Sequence, residues 1–108
     1  MQVERYTSGD KVAVLYSPGY GGGWSSWADD KYQEFTLFDK RLVEKAIEGV
    51  DEVEVKKFIE SILPDSYIYC GGWKDITVAW VVKGTEVIID EYDGSESIQT
   101  TAIRGVVA

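Results

Sequence analysis

Two helical repeats of apolar residues, which stop at Pro64, constrain the fold of this chain more than any other feature. Asp39 is placed to cap the first helix, which we expect to run through Glu48 to a stop at Gly49. Its apolar positions are Leu42, Val43, Ala46 and Ile47. Asp51 is placed to cap the second helix, with apolar positions at Val55, Phe58, Ile59, Ile62 and Leu63. Each helix therefore presents one apolar face to a core.

The rest of the chain is rich in β-forming residues. The pattern predicts strands at Lys11–Tyr16, Tyr67–Cys70, Ile76–Val82, Thr85–Tyr92, Ser97–Thr101 and Ile103–Val107. Lys83-Gly84 is expected to close a hairpin between two of these strands, and Gly71-Gly72 and Asp93-Gly94 to form turns. The order β-α-α-β-β-β predicts an α+β fold, a mainly antiparallel sheet with two helices packed on one face.

Length and apolar content set the expected organisation and location. The 108 residues suit a single domain spanning 1–108. No stretch approaches the roughly 20 apolar residues of a bilayer crossing, and the first ten residues do not resemble a signal peptide. Cys70 is the single cysteine, which excludes an intrachain disulfide. We therefore expect a cytoplasmic protein that does not contact a membrane.

Charge and the absence of histidine exclude several function classes. The chain has 11 Lys and Arg against 19 Asp and Glu, a formal charge of −8, which repels long nucleic acid. A small anion remains a possible ligand in a local pocket. Without histidine there is no Ser-His-Asp or Cys-His site and no His-ligated zinc. The sequence thus predicts a binding protein rather than an enzyme, with no cofactor and no metal.

A stretch rich in glycine and aromatic residues, Ser17 to about Lys31, is the first candidate site. Its spacing matches neither a dinucleotide fingerprint nor a P-loop. It still offers backbone amide donors beside rings that can stack on a base, so we expect ligand contacts at Gly19, Tyr20, Gly21, Gly22, Gly23 and Trp24. The alternative is that the aromatic residues anchor the loop to the core or to another subunit.

The C-terminal third holds two further candidates. Asp90 and Tyr92 lie in an acidic turn, Asp90–Glu96, whose carboxylates can accept hydrogen bonds from ribose hydroxyls. The spacing of the turn does not match a calcium-binding loop. The alternative to ligand binding is that the turn is a solvated acidic surface. Gln99, Thr101 and Arg104 follow, and a guanidinium both stacks on bases and pairs with phosphates. Arg104 is otherwise a surface charge.

Three segments of this chain resemble a known family. They are Lys11–Trp27 (KVAVLYSPGYGGGWSSW), Tyr69–Gly72 (YCGG) and Val82–Ile98 (VKGTEVIIDEYDGSESI). The chain resembles the first type of Thoeris anti-defence protein, a phage-encoded family of sponges for cyclic ADP-ribose isomers made by TIR-domain proteins. The resemblance covers about Lys11 to Ile98.

The resemblance implies a protein of the infected host cytoplasm that sequesters its ligand without cleaving it. It implies a homo-oligomer, a hexamer built from dimers, with ligand held where chains meet, and it allows binding of cyclic oligonucleotide signals by some members. It also implies a pocket in which an aromatic ring and an arginine sandwich the adenine, with Arg104 as the arginine. The aromatic partner is left open between Tyr92 and a loop ring of a neighbouring chain.

Two other functions remain open from the sequence. An acidic protein–protein inhibitor, directed at a host defence protein or a nucleic-acid-binding protein, fits the charge of −8 but not the uncharged loop. An enzyme that cleaves the signal would have to rely on carboxylates or tyrosine for acid–base steps. The sequence does not decide the signal isomer, the number of subunits or the chain that supplies each pocket wall.

Overall fold

A computed structural model describes residues 2–100 and 106–108. In chain order its elements are strands β1 (Thr7–Ser8) and β2 (Lys11–Tyr16), helices α1 (Gln33–Phe38), α2 (Lys40–Glu48) and α3 (Glu52–Ile62), and strands β3 (Thr77–Val82), β4 (Glu86–Tyr92), β5 (Ser95–Gln99) and β6 (Val106–Val107). Single 3₁₀ turns lie at Ser25–Trp27, Asp30–Tyr32 and Trp73–Asp75. No helix within the described ranges is long and apolar enough to cross a bilayer.

The caps predicted for the two longer helices are confirmed. The carboxylate of Asp39 accepts a hydrogen bond from the Arg41 amide at the start of α2, and that of Asp51 accepts one from the Glu54 amide at the start of α3. Gly49 ends α2 in the left-handed conformation, with φ of 78°. Helix α1 was not predicted, because its residues 35–38 are all buried and show no amphipathic spacing.

Strand β2 is covered on both faces. Ala13 and Leu15 belong to a cluster that includes side chains of α2, of α3 and the indoles of Trp24 and Trp73. Val12 belongs to a second cluster on the opposite face, with Val14, Leu37, Phe38, Val81 and Val87. A strand buried on both faces is typically a continuous apolar run, as in this segment. The predicted packing of two helices against one sheet face is therefore confirmed for α2 and α3.

The predicted α+β class with antiparallel pairing is confirmed, but the strands form two sheets instead of one. Their orders are β1-β2-β3 and β5-β4-β6. The predicted hairpin at Lys83-Gly84 is wrong, because β3 pairs along its whole length with β2 and not with β4. The amide of Lys83 donates to the Asp10 carbonyl and that of Gly84 to the Ala108 carbonyl. This turn therefore carries the chain from one sheet to the other.

The hairpin turn lies instead at Asp93-Gly94. Both residues have positive φ, 50° and 82°, as a type I′ turn requires, and the turn joins β4 to β5. The predicted strand at Tyr67–Cys70 is wrong: Tyr67 has φ of 54°, which breaks an extended run, and the segment pairs with no described strand. Of the predicted last strand, Val106–Val107 forms β6, and residues 103–105 lie outside the described residues.

Burial of β2 on both faces predicts a large cost for truncating its side chains. We expect Leu15→Ala to lower the free energy of unfolding by about 3 kcal/mol, because it removes contacts and leaves a cavity in the first cluster. Urea unfolding followed by circular dichroism measures this. Ile47→Ala is the control, since its side chain is 55% exposed and its loss should barely move the midpoint.

Candidate functional site

The carboxylate of Glu96 organises the glycine loop, defined here as residues 17–27. Glu96 is only 2% exposed. Its Oε1 accepts from the Ser17 amide at 2.9 Å. Its Oε2 accepts from the Trp24 amide at 2.8 Å and from the amide and hydroxyl of Ser26 at 3.0 and 2.5 Å. Four donors on one buried carboxylate hold both ends of the loop against β5.

Glycine backbones pack directly against one another beneath the loop. A Cβ on Gly72 would lie 1.8 Å from the Gly22 carbonyl oxygen, and a Cβ on Gly94 would lie 2.7 Å from the Gly22 amide nitrogen. The Ser17 hydroxyl also donates to the Gly72 carbonyl at 2.8 Å. Three distant segments of the chain therefore meet at a distance that only glycine permits.

Trp24 lies in the core and not on the ligand-accessible surface. Its indole is fully buried, donates to the Thr36 carbonyl at 2.6 Å, and lies 5.5 Å from the Trp73 ring. Of the alternatives for the loop aromatics, the structure has Trp24 as an anchor to the core. The expectation that Trp24 contacts a ligand is not supported by this conformation.

The expectation that the loop offers its amides to a ligand is wrong for Gly21, Gly22 and Trp24, whose amides are bonded within the protein. The amides of Ser17, Trp24 and Ser26 bind Glu96, and that of Gly21 donates to the Asp93 carbonyl. The Gly22 amide donates to the Gly19 carbonyl within the loop. Gly22 and Gly23 are also buried, Gly23 against the ring of Trp27. These bonded amides are therefore not free for a ligand, and exposed side chains form part of the outer surface of the loop.

Three aromatic side chains carry that surface. Tyr20 at the tip of the loop is 76% exposed. Trp27 and Tyr69 pack together with ring centroids 5.1 Å apart, and each is 44% exposed. The Tyr69 hydroxyl donates to the Gly21 carbonyl at 3.0 Å. Tyr69 thus connects the loop to the segment before Gly71-Gly72, a contact that the sequence analysis missed.

Asp90, Tyr92 and Gln99 share the exposed face of the β4–β5 ribbon. The alternation of the strands places Asp90 and Tyr92 on one face with Ile88, whose partner across the ladder is Gln99. The Gln99 amide donates to the Asp90 carboxylate. On the opposite face, Val87 and Glu96 are buried. The structure therefore brings these three predicted residues together on one surface.

The loop and the ribbon meet at the Asp93-Gly94 turn. The Gly21 amide lies 2.6 Å from the Asp93 carbonyl oxygen, and the Ser95 hydroxyl lies 2.6 Å from the Pro18 carbonyl oxygen. Tyr20 therefore immediately precedes Gly21, the residue whose amide contacts the turn that follows Tyr92. We call Tyr20, Asp90, Tyr92 and Gln99 the ribbon-loop surface.

The surroundings of this surface are acidic. A Cβ on Gly19 would lie 2.0 Å from an Asp75 carboxylate oxygen, so Gly19 packs directly beneath that charge. Asp90, Glu91 and Asp93 are exposed on the ribbon and its turn. An anionic ligand placed here needs a cation to offset this repulsion. Thr101 and Arg104, the predicted contacts that follow β5, lie outside the described residues.

Glu96 is the main residue that sequence reasoning missed, because it was grouped with a solvated acidic turn. That interpretation is wrong for Glu96. The signal was present in the alternation of β5: Glu96 and Ile98 are two residues apart and share the inward face. A carboxylate on the inward face of a strand requires buried donors, and a glycine-rich loop is a ready source of them.

A separate groove of about 650 Å³ lies between α3 and the segment before Gly71. Ile59, Leu63 and Tyr67 line it, and Cys70 lies at its wall. Burial raises the pKa of the Cys70 thiol to about 11, with nearby Glu52 adding to the shift. In residues 2–100 and 106–108, no three His, Cys, Asp or Glu side chains are grouped as a metal site.

The chain matches no known protein family, no curated protein and no solved structure. Any assignment of function therefore depends on its own residues and on the surface that they form.

Replacing Glu96 tests its role as the organiser of the loop. We expect Glu96→Gln to lower the free energy of unfolding by about 3 kcal/mol, because an amide accepts at one oxygen only and turns its own N–H groups toward buried donors. Urea unfolding monitored by tryptophan fluorescence measures the loss. Glu44→Gln, at an exposed position of α2, should unfold at the wild-type midpoint, and an equal midpoint for both variants would contradict the assigned role.

The raised pKa of Cys70 predicts a protected thiol. A shift from 9.0 to about 11 lowers the thiolate fraction at pH 8 roughly a hundredfold, and burial further limits access. Reaction with a maleimide or a disulfide reagent at pH 8 should be slow in the native protein and rapid in urea. Rapid reaction of the folded protein would show that the thiol is accessible.

Proposed function

We propose that this protein binds and sequesters a cyclic ADP-ribose isomer in the cytoplasm of an infected cell, without cleaving it. The observation that supports the proposal most strongly is the 2.6 Å contact between the Gly21 amide and the Asp93 carbonyl. It brings the loop segment that holds Tyr20 to the turn between β4 and β5, next to the end of β4 where Tyr92 lies. The four proposed ligand contacts of the ribbon-loop surface thus lie on two segments that meet at this turn.

Each side chain of that surface suits one part of such a ligand. The rings of Tyr20 and Tyr92 are 76% and 73% exposed, and either can stack on adenine. The Asp90 carboxylate can accept hydrogen bonds from ribose hydroxyls, and the Gln99 amide can both donate and accept. Arg104, five residues after Gln99, is proposed to pair with the diphosphate and to cover the second face of the base.

Two features favour binding over catalysis. The chain has no histidine, so the commonest general base is missing, and the proposed contact residues are suited to stacking and hydrogen bonding.

The acidic surroundings also make one arginine a weak anchor for a diphosphate. We therefore propose that the pocket is completed in a homo-oligomer, a hexamer built from dimers, in which another chain supplies a further wall.

Recovery of intact ligand tests this proposal. The purified protein is incubated with a mixture of cyclic ADP-ribose isomers and a cyclic dinucleotide, freed of unbound ligand by gel filtration, and heated. Mass spectrometry should find an intact cyclic ADP-ribose isomer in the eluate. Recovery of nothing contradicts the proposal and favours the acidic protein–protein inhibitor, whereas recovery of an altered product indicates an enzyme.

Single substitutions test the assigned surface. We expect Tyr92→Ala and Arg104→Ala each to weaken binding of the recovered isomer at least about tenfold, equal to about 1.4 kcal/mol, because each removes a stacking partner or a charge. Isothermal titration calorimetry measures the dissociation constants. Lys57→Ala, which removes an exposed cation of α3, is the matched control and should bind as the wild type does.

A further inference from the structure

A small cavity lies at the end of the glycine loop, apart from the ribbon-loop surface. It measures about 210 Å³ and is lined by residues 27–29 and 65–68 together with Lys31. The four residues of the ribbon-loop surface are not among its described lining residues. Cavities for drug-sized ligands measure about 300–1,000 Å³, so this one suits a chemical group of a few heavy atoms.

Two aromatic side chains form part of the cavity wall. Trp27 is 44% exposed and Tyr67 is 91% exposed, so both rings have surface free for a ligand. The Trp27 indole is held in place, because it packs on the backbone of Gly23, where a Cβ would overlap the ring, and its centroid lies 5.1 Å from that of Tyr69. The face of an aromatic ring carries partial negative charge, so these rings attract a cation.

Two carboxylates of the same wall have no cationic partner in the described part of the chain. Asp29 and Asp65 both line the cavity, and the ion pairs between described residues include neither of them. Asp29 directly precedes a 3₁₀ turn, but its side chain does not cap that turn. Lys31, the one cation of the described wall, has its Nζ 5.1 Å from the centroid of the Tyr32 ring. The two carboxylates therefore oppose an anion in this cavity and favour a cation.

We propose that this cavity binds a quaternary ammonium cation. Aromatic faces and carboxylates both attract its charge, and because it has no N–H group it requires no hydrogen-bond acceptor from the wall. A primary ammonium is more strongly hydrated and has three donors to satisfy, so it fits this wall less well. A divalent metal ion such as Ca²⁺ takes about six or more oxygen ligands, more than two carboxylates supply.

This proposal does not rest on the proposed function. The ligand is opposite in charge to a cyclic ADP-ribose isomer, and the cavity and the ribbon-loop surface share no described residue. The titrations that test it contain no nucleotide, so their failure would leave the proposed function untouched.

Titration with tetramethylammonium at constant ionic strength, followed by NMR of the isotope-labelled protein, tests the proposal. The indole N–H of Trp27 and the amides of residues 65–68 should shift and saturate, with a dissociation constant on the order of 1 mM. The indole of Trp80, on β3 and outside the cavity, should not shift. The absence of a saturable shift at Trp27 would overturn the proposal.

A neutral ligand of the same shape tests the part played by charge. Dimethylbutanol with its two methyl groups on the third carbon is the uncharged isostere of choline, and it should bind at least about tenfold more weakly than choline does. Equal affinity for the two compounds would show that the cavity selects apolar shape alone, and would contradict the proposal.

Substitutions in the wall test the assigned residues. Trp27→Ala should raise the dissociation constant for choline at least about tenfold, and Asp65→Asn, which removes the charge but keeps the shape, about threefold. Trp80→Ala is the matched control, since Trp80 is 43% exposed, and it should bind choline as the wild type does. Wild-type affinity in Asp65→Asn, whose fold the same spectra verify, would rule out the assigned carboxylate, and wild-type affinity in Trp27→Ala the assigned ring.

Quaternary ammonium groups occur in free small molecules such as choline and in trimethylated lysine side chains of proteins. Titrations with choline and with an N-acetylated trimethyl-lysine amide distinguish the two sources, because the cation is the same and only its substituent differs. Binding of either compound at Trp27 supports the site, and the tighter one identifies the source. Binding of neither overturns the proposal.

Discussion

The carboxylate of Glu96 is the contact on which the arrangement of the glycine loop depends. It is withdrawn from water and surrounded by three backbone amides and one hydroxyl, all supplied by residues 17–26. A buried carboxylate with unmade hydrogen bonds is costly, so these donors and the acid stabilise one another. The loop is thereby a defined element of the fold, although its glycine content alone suggests a mobile connection.

The two apolar clusters stabilise the core to which the glycine loop is attached. Strand β2 separates them, and Trp24 enters the first cluster directly from the loop. Trp73 contacts Trp24 there and donates its indole N–H to the Val50 carbonyl at 2.8 Å. The glycine loop is therefore stabilised both by core packing at Trp24 and by hydrogen bonds to the Glu96 carboxylate. Tyr20 and Tyr92 are exposed on a backbone of defined conformation. Binding through these side chains should therefore cost little conformational entropy of the backbone.

The sequence predicts the helices well because their signals are local. The caps at Asp39 and Asp51 and the stop at Gly49 depend on residues within one turn. The hairpin at Lys83-Gly84 fails because pairing of β3 with β2 is a contact between segments about 65 residues apart, which no local pattern reports. Among the site residues, Asp90, Tyr92 and Gln99 share a face as strand alternation allows. Burial of Trp24 depends on the loop folding back over β5, a long-range event without a local signal. The alternation of β5 indicates the inward face of Glu96 but not the donors that it binds.

The central claim is that the glycine loop is held in one conformation by Glu96. Native-state hydrogen exchange of the free protein, followed residue by residue by NMR, measures this most directly. The account predicts that the amides of Ser17, Trp24 and Ser26 exchange as slowly as those of Val12 and Val14 in the buried strand. Exchange of these three amides at the rate of an unstructured glycine-rich chain, while the strand stays protected, would contradict it.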